Sequence, residues 1–539
     1  MKSIRPTIFL IAAVCASSLT ASSTVTVTRA SVTSGNANQG PPVYLASGIA
    51  VQADTQKAAT AQNPTDEFAS ERAPVTGHHQ IVVGGDTLRY TTTAGRLVLK
   101  PEDGPGEGAL FFTAYTLDGV DSRNRPLTFA FNGGPGTGTV WLHLGALGPK
   151  KIKLESEGFV PAPPYSVVDN ADTILDKTDL VFVDAPGTGF SRIKPELIKK
   201  YYSIGGDAAA FGLFIRQYLT RYQRWHSPLF LFGESYGTTR AAALVNYLID
   251  DAIPVSGVAL LSVGLDFQTL EPGNLNDLPY VLIVPSYTMI AAYHRRLAPE
   301  LTSNLDATIK KVEEWCSSQY AEALAKGSSL DPAQRERVID QLSAYTGLSK
   351  SVIDENDLRI AAQTFMNNLL KDKHLVVGRV DGRFTGPAPG SISNVPFYDP
   401  AMAAMFPAFS AVMNDYAETE LDYNPVVPYK IYDGPGVEGR WDWGQAMSGY
   451  PQTAGALSSA MAKNRYLRVL VMEGMYDLAT PFYASTYTFN HLHINPDYLK
   501  NITFADFRGG HMVYNDAAAI KEMKRALDKF YGETLALSK

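Results

Sequence analysis

The chain has 539 residues, 45% hydrophobic and 19% charged, with a formal net charge of −7. That length supports a large core and more than one domain. The acidic balance gives no electrostatic footprint for nucleic acid, and the only cysteines, Cys15 and Cys316, do not make a disulfide scaffold.

The N-terminus reads as an export leader. Lys2 and Arg5 precede an apolar run from Ile8 to Ala16, and small residues continue through Ser23. The run is short for a bilayer span, so residues 1–21 are expected to be a signal peptide, cleaved after Ala16 or Ala21. Cys15 would leave with it, so no intramolecular disulfide is expected, and the mature protein is expected to be periplasmic or secreted with no membrane span. Residues 22–75 are rich in Ser, Thr, Ala, Gly, Asn and Gln and read as a flexible linker.

From Gln80 the pattern changes. Ile81–Val83, Leu88–Thr92, Leu97–Leu99 and Leu110–Leu117 read as strands, with a turn at Gly84-Gly85. Leu127–Phe131 is a further strand, running into Asn132-Gly133-Gly134-Pro135-Gly136-Thr137-Gly138. This loop has the spacing of neither a dinucleotide loop nor a P-loop. It fits an oxyanion loop, in which glycine lets a backbone N–H approach a reacting carbonyl. Asp179–Val183 is a buried strand, and Asp184 reads as a loop-capping residue.

Residues 206–222 carry helical periodicity. Leu229–Phe232 is a strand leading to Gly233-Glu234-Ser235-Tyr236-Gly237, and a helix opens at Ala241. Strand, G-x-S-x-G and helix together form the context of a nucleophile elbow. Val255–Val263 is one more strand, and this alternation predicts a mostly parallel sheet covered by helices on both faces.

The first part of that core is assigned to residues 76–265. Residues 266–460 interrupt it with amphipathic helical stretches at 304–325 and 332–345 and with aromatic, Pro/Gly-rich loops at 381–390 and 432–444. They read as an inserted, mainly helical cap. Residues 461–539 resume the core. Leu467–Met472 leads to Asp477, Ile502–Phe507 leads to His511, and a helix spans 515–537.

A serine, then an acid after the penultimate strand, then a histidine after the last strand is the chain order of an α/β-hydrolase triad. His511 would take the proton of Ser235 and return it to the leaving group, while Asp477 would orient the imidazole and stabilise its charged form. The backbone N–H groups of Tyr236 and Gly134 would form the oxyanion hole. The competitors are His143 for the base and Glu473 for the acid. His491 and His493 lack the further ligands of a metal site, and no metal or cofactor is expected.

Four segments, Asn132–Gly136, Asp184–Ser191, Gly233–Gly237 and Gly510-His511-Met512, resemble the serine carboxypeptidase family, peptidase family S10. The resemblance implies an α/β-hydrolase fold and a substrate peptide with a free C-terminus. Within it Asn132, Gly133 and Glu234 would bind the substrate, with Asn132 and Glu234 on the terminal carboxylate. Glu234 can hydrogen-bond a carboxylate only when protonated. Two departures stand out. Ala146 occupies the position of the family's second glutamate, and Thr137 that of a common disulfide cysteine. The first motivates an alternative, an esterase or acyltransferase using the same triad on small esters.

Overall fold

A computed structural model describes residues 73–388, 398–425, 427–444 and 449–537. The expected signal peptide and residues 22–72 of the expected linker lie outside them. The long strands of the main sheet are β1 (Val75–Val83), β2 (Asp86–Leu99), β3 (Gly108–Leu117), β4 (Leu127–Phe131), β5 (Asp179–Val183), β6 (Leu229–Glu234), β7 (Gly257–Leu261), β8 (Arg468–Gly474) and β9 (Ile502–Phe507). They form one sheet in the order β1-β2-β3-β5-β4-β6-β7-β8-β9, with a tenth, two-residue strand at Arg192–Ile193 beside β3.

Pairing is antiparallel from β1 through β3 to β5. It is parallel from β5 across β4, β6, β7 and β8 to β9. The sequence pattern explains the division. β4 to β7 are buried at every position, as strands covered on both faces must be. β1 instead alternates exposed and half-buried residues along its outer stretch, as an antiparallel edge strand does. Gly84 and Gly85 turn between β1 and β2 with φ of 60° and 95°, which a side chain rarely tolerates. The stretches 88–92 and 97–99 are one strand, because Thr93 to Arg96 stay paired with β3.

Helices cover both faces. α1 (Ile204–Arg221) and α2 (Tyr236–Asp250) bury Phe211, Phe214, Leu244 and Leu248 against one side of the sheet. Between β7 and β8 lie α3 (Val284–Tyr293), α4 (Leu305–Trp315) and α5 (Pro332–Thr346), which share a separate core around Tyr287, Val312, Tyr320 and Leu342. Sequence sets their limits. Asn304 and Asp331 cap α4 and α5 through backbone N–H groups, Pro332 opens α5, and Gly347 closes it in the left-handed region at φ 70°. Cys316 is buried in this core with its thiol pushed well above its ordinary pKa by burial.

α6 (Pro400–Thr419) was not singled out in the sequence. Pro407 lies inside it, yet Met405, Phe409, Met413 and Tyr416 bury one face in the main core, and Asp399 caps its start. That burial and cap outweigh the hydrogen bond the proline removes. α7 (Ala519–Ala536) lays Met523, Leu527, Phe530 and Tyr531 on the second face of the sheet. Among the described residues no helix is long and apolar enough to cross a membrane.

Candidate active site

The turn from β6 to α2 holds Ser235 at φ 61° and ψ −131°, a backbone conformation that costs about 1–3 kcal/mol for a non-glycine residue. Neighbours hold it there. Ser235 N–H donates to Leu261 O on β7 at 3.0 Å, and Thr238 returns its N–H and its hydroxyl to Ser235 O at 2.8 and 2.7 Å.

The flanking glycines are dictated by space. A Cβ on Gly233 would lie 2.1 Å from Gly237 O, and one on Gly237 would lie 2.6 Å from Phe131 O. The loop after β4 sits directly on this turn, because a Cβ on Gly133 would be 2.4 Å from Tyr236 N. Gly134 follows at φ 108°. Among the described hydrogen bonds neither Gly134 N–H nor Tyr236 N–H donates to a protein acceptor.

The parallel strands β8 and β9 deliver the other two side chains from adjacent strand ends. His511 Nδ1 lies 2.6 Å from Asp477 Oδ2, and both residues are buried. The carboxylate also accepts the Thr480 hydroxyl at 2.7 Å and Ala479 N–H at 2.7 Å. A carboxylate facing Nδ1 makes that nitrogen the N–H donor and leaves Nε2 as the basic atom. Burial alone would lower the pKa of His511. The charge and hydrogen bond of Asp477, with Glu234 adding to them, outweigh burial and raise it. Among the described hydrogen bonds there is none between Ser235 and His511; such contacts commonly tighten only once substrate binds.

The loops are clamped by the segment before α6. His511 N–H donates to Val380 O at 2.6 Å, Leu478 N–H to Arg379 O at 2.9 Å and Gly382 N–H to Tyr476 O at 2.9 Å. Arg383, buried, ties Asp381 at 2.7 Å to Asp516 at 2.8 Å.

Glu234 is only 3% exposed and accepts the Tyr514 hydroxyl at 2.9 Å. Burial pushes its carboxyl up to about 7 against the opposing influence of His511, Tyr514 and Asn132. Asn132 is buried nearby, its Oδ1 accepting Leu142 N–H at 3.0 Å. Its backbone carbonyl accepts from Arg240 of α2, which is paired with Asp207 of α1 at 2.7 Å in a fully buried bridge. Sequence reading missed Tyr514, Thr480, Arg240 and Asp207. Thr480 and Tyr514 each lie three residues past a chosen side chain, and that spacing was the one signal available.

The competitors have other work. His143 is buried with its Nε2 2.6 Å from Tyr115 Oη and its ring stacked on Phe182, and burial lowers its pKa to about 3. Glu473 is buried and accepts Val263 N–H at 3.2 Å. Asp184 accepts Thr139 N–H, Phe190 N–H and the Tyr429 hydroxyl, so it organises its loop. His491 Nδ1 lies 2.7 Å from the carbonyl of Tyr487. Ala146 is fully buried in the turn Leu142–Leu147.

A doubly covered, mostly parallel sheet with a serine on a strained strand-to-helix turn, and an Asp–His pair beyond the last two strands, defines an α/β-hydrolase. The sequence model of the serine carboxypeptidase family matches residues 97–373, just over half of the chain. The chain belongs to the serine carboxypeptidase family and is a serine-type carboxypeptidase.

Among solved structures it is similar to Kex1(delta)P, a prohormone-processing carboxypeptidase from Saccharomyces cerevisiae, at 16% identity and a TM-score of 0.52. That match covers 82% of this chain and 92% of the other. Proline iminopeptidase from Mycobacterium smegmatis aligns at 12% identity and a TM-score of 0.34, over 83% of this chain and 100% of that one. The peroxisomal alpha-beta-hydrolase Lpx1 of Saccharomyces cerevisiae aligns at 11% identity and a TM-score of 0.34, over 83% and 90%. No curated protein sequence matched the chain.

Proposed function

We propose that this carboxypeptidase is exported and releases C-terminal residues from peptides through Ser235, His511 and Asp477. His511 Nε2 takes the Ser235 proton, the hydroxyl oxygen attacks the last peptide carbonyl, and the oxyanion forms against the amides of Gly134 and Tyr236. The same imidazole then protonates the departing amine, and water releases the acyl-enzyme. Asn132, Gly133 and Glu234 bind the substrate's end, with Glu234 protonated when it meets the terminal carboxylate. Residues 266–460 act as a cap over the core, and residues 1–21 as the export signal.

The observation that carries the reading is the buried 2.6 Å contact between His511 and Asp477 at the ends of neighbouring strands. The test is mass spectrometry of a defined peptide incubated with the protein. Residues should leave only from the C-terminus, and Ser235→Ala should abolish the release. Internal cuts or N-terminal losses would overturn the reading. N-terminal sequencing of the exported protein, expected to start after Ala16 or Ala21, checks the leader.

A second reading, an esterase or acyltransferase on small esters, draws on Ala146, which stands in the turn Leu142–Leu147 where the family's second glutamate would be. Turnover of esters with none of peptides bearing a free C-terminus would favour it.

A further inference from the structure

Besides Asn132, a phenol donates a hydrogen bond directly to the Glu234 carboxylate. Tyr514 lies three residues past His511, is 2% exposed, and donates its hydroxyl to Glu234 Oε2 at 2.9 Å. Its ring is fixed from behind. A Cβ on Gly145 would fall 2.5 Å from Tyr514 Cε2, so the ring lies flush against the turn that carries Ala146. The phenol therefore fills the space between that turn and Glu234, its oxygen donating to Glu234 and also hydrogen-bonded by Asn132.

We infer that Tyr514 is a positioning residue for the terminal-carboxylate subsite, holding Oε2 of Glu234 so that Oε1 presents its proton to the substrate. The inference rests on the carboxypeptidase reading above. The chemistry is one of occupancy. A carboxyl can carry its proton on either oxygen, and the oxygen already accepting a hydrogen bond is the poorer site for it. With Oε2 engaged, the proton goes to Oε1, where it can be shared with an incoming carboxylate.

A phenol in this place acts differently from a second carboxylic acid. It brings no charge of its own, because burial and Glu234 hold its pKa well above the ordinary value. It also favours the ionised form of Glu234 by donating to it. The other titratable groups acting on Glu234 are His511, which favours the ionised form, and Asp477, which opposes it; Asn132 adds a neutral hydrogen bond. Tyr514 thus lowers the pH at which the subsite loses its proton and fixes the proton's direction below that pH.

The test is the pH profile of KM and kcat for a peptide with a free C-terminus, measured for wild type, Tyr514→Phe, Glu234→Gln and the double variant. The phenylalanine keeps the ring against Gly145. In Tyr514→Phe the alkaline rise of KM should move up by about one pH unit, since one donor to the ionised carboxyl is lost. Its plateau KM at lower pH should be higher than that of wild type while kcat changes little. In the Glu234→Gln background the same change should leave the profile where it was. A limb that stays in place in Tyr514→Phe, or that moves equally with Gln at 234, would overturn the inference.

Infrared difference spectroscopy of the protonated carboxyl band that Glu234→Gln removes gives the same titration without turnover. It separates the two readings. If no peptide is cleaved, the proposed function fails while the band still reports whether Tyr514 governs the Glu234 proton. An unshifted band in Tyr514→Phe overturns the inference whatever the activity.

Discussion

Placing a methyl group on Gly133 tests the assembly of the site at its tightest point. In Gly133→Ala the new Cβ would sit 2.4 Å from Tyr236 N, 2.5 Å from Gly237 N and 2.7 Å from Tyr236 Cα, all backbone atoms at the start of α2. Ordinary contact requires at least 3.4 Å, so the glycine loop and the serine turn must part by about 1 Å, a displacement able to reduce a rate ~100-fold. The atom being pushed is one of the two amides assigned to the oxyanion. Losing such a donor reduces kcat by about 10²–10³, or ~2.7–4 kcal/mol of transition-state stabilisation. Overpacking should also lower stability by about 1–3 kcal/mol, so thermal unfolding is recorded first to show that the variant is folded.

The assay is steady-state kcat and KM on a C-terminally free peptide, with Gly205→Ala as the control. Gly205 lies in α1, is exposed, and has open space where a Cβ would go. That change should leave kcat alone and add about 0.4–1 kcal/mol of stability. A folded Gly133→Ala protein with the kcat of wild type would refute the placement of the oxyanion hole.

Asp477→Asn should keep the fold and lower kcat by about 10⁴, because an amide can present its N–H to Nδ1 and favour the wrong tautomer; stopped-flow acylation with unchanged circular dichroism checks it. Arg240→Met leaves Asp207 buried without its 2.7 Å partner and frees the Asn132 carbonyl. Denaturant unfolding should show a loss of ~3–5 kcal/mol.

The roles proposed for His511 and Glu234 give the pH profile two limbs. His511 must be neutral to act as a base, and its pKa is raised, so activity falls as pH drops through a value above the ordinary ~6.5. Glu234 must be protonated, and burial holds its carboxyl at about 7, so KM for a free-carboxylate peptide rises as pH climbs through that value. A C-terminally amidated peptide should keep the acid limb and lose the alkaline one.

The serine turn was legible because its geometry tolerates so few residues. Gly233 and Gly237 stand where a Cβ would strike backbone 2.1 and 2.6 Å away, so local crowding writes a pattern into the sequence. The parallel strands were legible for a similar reason: burial on both faces leaves unbroken apolar runs such as Leu229–Phe232. α6 was not, because Pro407 is a helix breaker locally and only the burial of Phe409, Met413 and Tyr416 in a distant core overrides it. Arg240 and Asp207 stayed hidden because nothing in their neighbours signals a pair 33 residues apart. Tyr514 has a partner 280 residues away, and only its place three residues past His511 pointed to it.

The segment around Arg379–Arg383 has a bearing on redesign. Helical segments between the strands of such scaffolds invite transplantation, with the aim of altering specificity while sparing the chemistry. Here the carbonyls of Arg379 and Val380 anchor the Asp477 and His511 loops, and Arg383 fastens Asp381 to Asp516 just beyond. A chimera spliced cleanly at the ends of β7 and β8 would discard those anchors. A working graft has to retain these five residues as part of the recipient and begin its exchange outside them.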